Sequence, residues 1–166
     1  MVDLGTTFLS SVDRCPNSIA ITDETSKLTY QEWHDKIISL ANSLKEMGLV
    51  KGDKLITLLP NNMEACTIHW ACQIFGYVIV PINWRVKSEE IIFFLKNSDS
   101  KCIIFDDYSE IEVKLSNFDQ NIIKITTSSK TNEFEKLDNL FNIHENYNKS
   151  DSNHDDCSIV LYTSGT

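Results

Sequence analysis

Residues 77–82, Tyr77-Val78-Ile79-Val80-Pro81-Ile82, decide the fold class of this 166-residue chain. The run is apolar throughout and does not alternate with polar residues, which is typical of a parallel strand covered on both faces. Proline cannot donate a hydrogen bond to a neighbouring strand, so Pro81 is expected to end this one. The stretch therefore predicts a parallel sheet with helices on both of its sides.

Helical and strand patterns alternate on either side of this stretch. Three helices are predicted. The first begins at Thr29 and ends at Gly48, and the second begins at Asn61 or Asn62 and ends at Gly76. The third has Ser88 as its N-cap. The other predicted elements are strands at 19–22, 28–30, 54–59, 101–105, 121–127 and 158–162, and a short helix at 133–141. The first two strands form a hairpin. The fold class is α/β, a mainly parallel sheet flanked by helices with an N-terminal β-hairpin.

The length suits one domain, and residues 1–166 are expected to form a single α/β segment. The patterns weaken over residues 106–156. Within them, the polar stretch at about 142–156 is predicted to be a mobile surface loop.

The composition is that of an ordinary globular protein, with a net charge of −9 and a pI near 4.8. This charge argues against nucleic acid or an anionic membrane as partner, although it leaves local basic pockets open. No apolar run reaches the ~18 residues of a membrane span and no signal peptide is evident, so a cytoplasmic location is expected. The five cysteines are scattered, which predicts reduced, mostly buried thiols and no metal site.

The last eight residues, Ile159-Val160-Leu161-Tyr162-Thr163-Ser164-Gly165-Thr166, combine a β-forming run with small hydroxyl residues. This pattern predicts a strand that ends in a turn. The turn is either an ordinary one or a site where hydroxyls and backbone N–H groups bind an anion such as phosphate. Ligands of open α/β sheets gather at the carboxyl ends of the strands, and the turn lies at such an end.

Several common catalytic patterns are missing from the sequence. It contains no G-x-x-x-x-G-K-[ST], no G-x-G-x-x-G and no G-x-S-x-G. Asp155 and Asp156 follow His154, but a polar loop favours a solvated role for all three. We therefore predict no catalytic residue in this chain.

Three stretches together resemble the adenylate-forming superfamily, which includes acyl- and aryl-CoA synthetases, luciferases and peptide-synthetase adenylation domains. Leu28-Thr29-Tyr30-Gln31-Glu32-Trp33 is similar to its L-T-Y-x-E-L segment. Residues 76–85, Gly76-Tyr77-Val78-Ile79-Val80-Pro81-Ile82-Asn83-Trp84-Arg85, resemble its G-A-V-x-V-P-L-N-x-R segment. Residues 155–166 are similar to the first half of its phosphate loop, Y-T-S-G-T-T-G-x-P-K-G. The resemblance begins at about Pro16.

The resemblance implies ATP-dependent activation of a carboxylic acid, fatty or aryl, as an acyl-adenylate that is passed to coenzyme A. The implied cofactors are ATP, Mg²⁺ and coenzyme A. The residues implied to hold the phosphates are Thr163, Ser164, Gly165 and Thr166. Asn83-Trp84-Arg85 resembles the CoA ligases more than the adenylation domains, which remain the alternative within the family. Arg85 either binds an anion or forms a structural ion pair.

The rest of the family's phosphate loop, its adenine, Mg²⁺ and acid-binding motifs and its catalytic lysine have no counterpart in these residues. The chain is therefore expected to be the N-terminal part of a larger AMP-binding domain and to be inactive alone. Two alternatives remain open: a non-catalytic nucleotide- or acyl-binding module, and a structural fragment whose exposed apolar surface packs on the missing part of its parent.

Overall fold

The computed structural model describes residues 3–142 and 149–163. Five α-helices occur in these ranges: Leu4–Arg14 (α1), Tyr30–Glu46 (α2), Met63–Phe75 (α3), Ser88–Ser98 (α4) and Glu110–Leu115 (α5). The strands are Ile19–Thr22 (β1), Lys27–Thr29 (β2), Lys54–Leu58 (β3), Val78–Pro81 (β4), Ser100–Phe105 (β5), Ile123–Thr126 (β6) and Glu135–Lys136 (β7). A 3₁₀ helix follows at Leu137–Phe141.

The main sheet has five strands in the order β4-β3-β5-β6-β7, and every pair of neighbours is parallel. β1 and β2 form a separate antiparallel hairpin. The predicted fold class is therefore confirmed. The chain moves outward from β3 to β4 and then crosses back to β5, so the strand order reverses between β3 and β5. Ligands of doubly wound sheets bind outside the carboxyl ends of the strands at such a reversal.

The reversal places helices on both faces of the sheet, because right-handed crossovers in opposite directions emerge on opposite sides. Alternate strand residues face the two layers. The layer with α1, α2 and α3 receives Leu55, Ile79, Cys102, Ile104 and Ile125. The layer with α4 and α5 receives Ile56, Leu58, Val80, Ile103 and Phe105. This two-sided burial explains why residues 77–82 do not alternate with polar residues.

Local sequence signals fix the ends of α2 and α3. Thr29 accepts a hydrogen bond from the Glu32 N–H at 3.2 Å while a Glu32 carboxylate oxygen accepts the Thr29 N–H at 2.8 Å, which completes the predicted capping box. Asn62 caps α3 through the Ala65 N–H at 2.9 Å. Gly76 ends α3 with a φ of +74°, a left-handed conformation that glycine adopts without strain.

The helix α1 was not predicted, although Phe8 and Val12 recur at helical spacing within it. Its Gly, Ser and Thr residues weaken the propensity signal. Tertiary packing stabilises it, since the Phe8 ring lies 4.8 Å from that of Trp70 and 5.5 Å from that of Trp33. Asp3 caps it by accepting the Thr6 N–H at 2.8 Å.

The structure corrects the predicted cap of α4. Ser88 was expected to cap this helix, but Lys87 occupies the N-cap position. The Lys87 N–H donates to a Glu90 carboxylate oxygen at 2.9 Å, which is the reciprocal half of a capping box, and no side-chain oxygen of the N-cap residue accepts a helix N–H. The Ser88 N–H instead donates to Glu112 of α5 at 3.0 Å, and this contact joins the two helices.

The region 106–156 contains more structure than its sequence indicated. α5 was not predicted, and the predicted short helix at 133–141 is divided into β7 and the 3₁₀ helix. The hydroxyls of Ser39 and Ser43 both donate to the Leu140 carbonyl, at 3.1 and 2.8 Å. These bonds attach the 3₁₀ helix to α2, which is a long-range effect that no local pattern encodes.

We predict that Gly5→Ala destabilises the protein by about 1–3 kcal/mol through overpacking. A Cβ at this position would lie 2.6 Å from the Ser150 hydroxyl oxygen and 2.7 Å from the Gln73 carbonyl oxygen. Urea unfolding measures the change in the free energy of unfolding. Ser10→Ala, at an exposed position of the same helix, is the control. A gain in stability, as helix propensity alone would give, would contradict the close approach.

Candidate functional site

Residues 158–163, which we call the terminal segment, lie alongside β4 at the edge of the sheet. The Val160 N–H donates to the Ile79 carbonyl at 3.0 Å, and the Ile79 N–H donates to the Ser158 carbonyl at 3.2 Å. Ile159 and Ile79 pair in parallel. The terminal segment therefore runs in the direction of β4 and brings Thr163 to the carboxyl end of that strand.

The predicted strand at 158–162 is thereby reduced to a single bridge. In a parallel ladder the next hydrogen bond would come from the residue two positions after Ile79, which is Pro81. Proline has no N–H to donate, so the pairing stops there. The same residue that ends β4 also limits how firmly the terminal segment is bound to it.

Side chains of the terminal segment alternate between the core and the surface. Val160 and Tyr162 pack on the layer of α4 and α5, whereas Ile159 and Leu161 are exposed by 40% and 65%. The Tyr162 hydroxyl donates to the Asn97 side-chain oxygen at 2.6 Å, and its ring lies 4.7 Å from that of Phe94. Tyr162 therefore anchors the end of the segment on α4.

Thr163 is exposed and lines a cavity of about 730 Å³ between the carboxyl end of β4 and the start of α4. Apolar side chains form most of the wall, among them Ile82, Phe93 and Phe94. Asn83 adds a carboxamide at the strand end. A volume of this size falls within the range of small-molecule sites in proteins.

Of the four predicted phosphate-binding residues, one lies within the described part of the chain. Thr163 lies in the cavity wall, but Ser164, Gly165 and Thr166 fall outside the described residues. Glu89 and Glu90 also line the cavity, so a phosphate there would meet negative charge. A divalent cation such as Mg²⁺ would offset that charge, since it takes oxygen ligands from carboxylates and phosphates. Within residues 3–142 and 149–163, however, no three His, Cys, Asp or Glu side chains come together as metal ligands.

The loop after β4 presents Trp84 and Arg85 beside this cavity. Asn83 shapes the loop by accepting the Arg85 N–H at 3.0 Å. The Arg85 guanidinium lies 4.4 Å from the centre of the Trp84 ring, a cation–π arrangement. Among the described residues Arg85 forms no salt bridge, so of its two expected roles the structural ion pair is not formed there, and its guanidinium stacks on Trp84.

A buried carboxylate that the sequence did not single out lies at the strand reversal. Asp106 directly follows β5 and is 6% exposed. One of its oxygens accepts the N–H groups of Tyr108 and Ser109 at 3.0 and 3.2 Å, while the other has no partner among the described residues. Burial raises the pKa of this carboxyl group despite those two hydrogen bonds. The sequence signal that could have identified Asp106 is its position directly after a central parallel strand.

Ser109 links this turn to the loop after β4. Its hydroxyl lies 2.9 Å from the Trp84 carbonyl, to which it donates, and 3.4 Å from the Leu58 carbonyl. The loops that follow β3, β4 and β5 therefore meet at Ser109. Asp106 fixes Ser109 in place by accepting its backbone N–H.

The two cysteines in the core, Cys72 of α3 and Cys102 of β5, are not activated thiols. Cys72 and Cys102 are fully buried, and burial raises the pKa of Cys72 to about 12 and that of Cys102 further. Cys66 and Cys157 are exposed and Cys15 is half-buried, so the expectation of mostly buried thiols is only partly met.

None of the described helices combines the length and apolar character required to cross a membrane.

Comparisons with known proteins agree with this geometry. A family model described as AMP-binding enzyme matches residues 8–166. The chain belongs to that family, as the three resembling stretches predicted.

Relatives and solved structures make the likeness more specific. The chain is 26% identical to the 2-succinylbenzoate–CoA ligase of Bacillus cereus over 152 residues, which cover 91% of this chain and 28% of the relative. The N-terminal domain of FACL13 from Mycobacterium tuberculosis superposes with a TM-score of 0.83 at 23% identity, covering 99% of this chain and 42% of that one. A benzoate CoA ligase from Burkholderia xenovorans gives a TM-score of 0.86 at 15% identity, covering 98% and 33%.

The two structural likenesses show the fold. The chain spans less than a third of the length of the curated relative.

We predict that the stability of Asp106→Asn relative to the native chain increases as the pH rises from 3.8, the ordinary pKa of the carboxyl group, through its raised folded-state pKa. Because the folded-state pKa of Asp106 is raised, the folded state binds more protons than the unfolded state between the two pKa values, and native stability falls as pH rises through this window. The asparagine side chain does not titrate, so any packing cost that it adds is the same at every pH.

Urea unfolding at several pH values measures this difference. Asp138→Asn, at an exposed position, is the matched control for loss of one carboxylate. A stability difference for Asp106→Asn that does not change with pH would contradict a raised pKa.

Proposed function

We propose that this chain is the N-terminal part of an ATP-dependent acid–CoA ligase. The whole enzyme activates a carboxylic acid, fatty or aryl, as an acyl-adenylate and transfers the acyl group to coenzyme A. The observation that carries the proposal is the family match over residues 8–166, which includes the terminal segment.

The named relatives support a CoA ligase within this family. They include the 2-succinylbenzoate–CoA ligase of Bacillus cereus and, by fold, the benzoate CoA ligase of Burkholderia xenovorans. Asn83-Trp84-Arg85 resembles the ligase pattern, and an adenylation domain remains the alternative within the family. The cytoplasmic location stays a prediction.

The terminal segment supplies the first part of the proposed ATP site. We assign to the hydroxyls of Thr163, Ser164 and Thr166 the task of donating hydrogen bonds to phosphate oxygens. Gly165 would allow the backbone to approach the phosphates closely. Mg²⁺ and hydrogen-bond donors together neutralise charge as a carboxylate attacks the α-phosphate, since both reactants are anions.

We predict that the isolated chain catalyses no exchange of pyrophosphate into ATP with any acid in a panel of fatty and aryl acids. A chain extended by the residues encoded after Thr166 should catalyse it, because acid-binding and catalytic groups would then be present. Thr163→Val in the extended chain should lower kcat/KM for ATP by about tenfold, the cost of one hydrogen bond to a charged group. Thr22→Val, on the exposed hairpin, is the matched control.

Three results would contradict this assignment. Robust exchange by the isolated chain would show a complete site within it. A following sequence that lacks Thr-Gly-x-Pro-Lys-Gly would remove the family's phosphate loop. The isolated chain could bind ATP at micromolar concentration while the extended chain shows no exchange activity. That pair of results would favour a nucleotide-binding module instead.

A second candidate function, that of a structural fragment, is favoured by exposed apolar groups near the cavity. Phe93 is 54% exposed and Leu161 65% exposed. Large exposed apolar areas generally mark surfaces that pack on other polypeptide.

If this surface packs on the missing part of the parent, the isolated chain should self-associate at micromolar concentration. Static light scattering measures the mass, and Leu161→Ser together with Phe93→Ser should restore the monomer. Leu4→Ser, at another exposed apolar residue, is the control. A compact monomer of the native chain would count against this candidate.

A further inference from the structure

Residues 149–158, which we call the strap, connect directly to the terminal segment. Residues 149–156 of the strap were predicted to belong to a mobile loop, but the strap is bonded to the end of α3. The Asp151 N–H donates to the Ile74 carbonyl at 2.8 Å, and the Ser150 hydroxyl donates to the same oxygen at 3.3 Å. The Ser152 hydroxyl donates to the Gln73 carbonyl. Carbonyls in the last turn of a helix have no partner within the helix, so the strap satisfies them.

Lys51 holds the strap from the other side. Its ammonium group lies 2.7 Å from a carboxylate oxygen of Asp156 and donates to the Asp151 carbonyl at 2.8 Å. The Lys51 stem packs over Gly76, where an added Cβ would lie 3.0 Å from the Lys51 Cγ. The Gly52 N–H donates to the Gly76 carbonyl at 2.8 Å, which fixes the turn that carries Lys51. A cation on a rigid turn therefore binds two points of the strap that are five residues apart.

The charge of the strap makes this cation important. Asp151, Asp155 and Asp156 lie close together in sequence, and Asp3 at the start of α1 disfavours the charge on Asp156. The hydrogen bond from Lys51 lowers the pKa of Asp156 nonetheless. Loss of the Lys51 charge would leave the Asp156 carboxylate near the like charge of Asp3 and without its cation.

The strap runs directly into the bridge between the terminal segment and β4. Ser158 ends the strap, and its carbonyl accepts hydrogen bonds from the Ile79 N–H at 3.2 Å and from the Gln73 side chain at 3.4 Å. Only one bridge joins the terminal segment to β4, so the ladder itself resists slippage weakly. A slip of one residue would exchange the half-buried Tyr162 with an exposed neighbour and displace Thr163 by about 3.3 Å.

We propose that Lys51 is a positioning residue for the phosphate-binding segment. By binding the strap at Asp151 and Asp156, it holds the terminal segment in register on β4 and so places Thr163 at the cavity. The role of Thr163 rests on the proposed function, whereas the register does not.

Amide hydrogen exchange on the isolated chain tests the register directly. In Lys51→Met, the amides of Ile79 and Val160 should exchange about tenfold faster, because both bonds to the terminal segment open more often. Amides in the centre of the sheet, such as those of Leu55 and Ile104, should keep their rates. Lys51→Arg should restore protection at Ile79 and Val160. Lys27→Met removes a positive charge from the exposed hairpin and should change none of these rates.

Two exchange results would overturn the proposal. Unchanged exchange at Ile79 and Val160 in Lys51→Met would show that the strap holds without Lys51. Equal acceleration at every amide would show a general loss of stability instead of a loss of register.

Kinetics of the extended chain test the link to the phosphates. Lys51→Met should raise the KM for ATP several-fold more than Lys27→Met does, with Lys51→Arg restoring it. Faster exchange without a change in KM would overturn that link. An extended wild-type chain with no ATP-dependent activity would count against the proposed function alone, since hydrogen exchange decides the register independently.

Discussion

The parallel pairing of β3 with both β4 and β5 is the constraint on which the rest of the structure depends. Leu55, Ile56 and Leu58 of β3 are buried to 1% exposure or less, so every backbone group of this strand must find a partner in the sheet. Because β4 and β5 lie on opposite sides of β3, the connecting helices must cover opposite faces. The same geometry brings the loops after β3, β4 and β5 to one edge, where Ser109 joins them and the cavity opens.

The edge of the sheet at β4 is where this order is weakest and where the proposed chemistry begins. The terminal segment has a single bridge to β4, since Pro81 cannot extend the ladder, and it relies on contacts outside the sheet. Tyr162 on α4 and the strap on α3 supply those contacts from the two layers. The position of Thr163 therefore depends on residues distributed over both faces of the sheet.

Much of the fold could be predicted from local signals. The capping box at Thr29, the terminators Gly48 and Gly76, and the apolar run at 77–82 all act within a few residues, so sequence alone identifies them. α1 and the 3₁₀ helix depend on distant partners, such as Trp70 for Phe8 and Ser43 for Leu140. Local propensity carries no record of such contacts. Within the candidate site, a sequence motif predicted Thr163. Asp106 acquires its role from strand order. Lys51 acquires its role from contacts with a strap about a hundred residues away.

The bonds of the 3₁₀ helix and the strap also bear on the order in which the protein folds. β3, α3, β4, α4 and β5 follow one another closely in sequence, so their contacts close short loops and can form early. The hydroxyl of Ser43 meets the Leu140 carbonyl across 97 residues, and Lys51 meets Asp151 across 100. Closing such long loops costs more chain entropy, so we expect these contacts to form last. The segment that carries Thr163 would then be the final part of the described chain to reach its native place during synthesis.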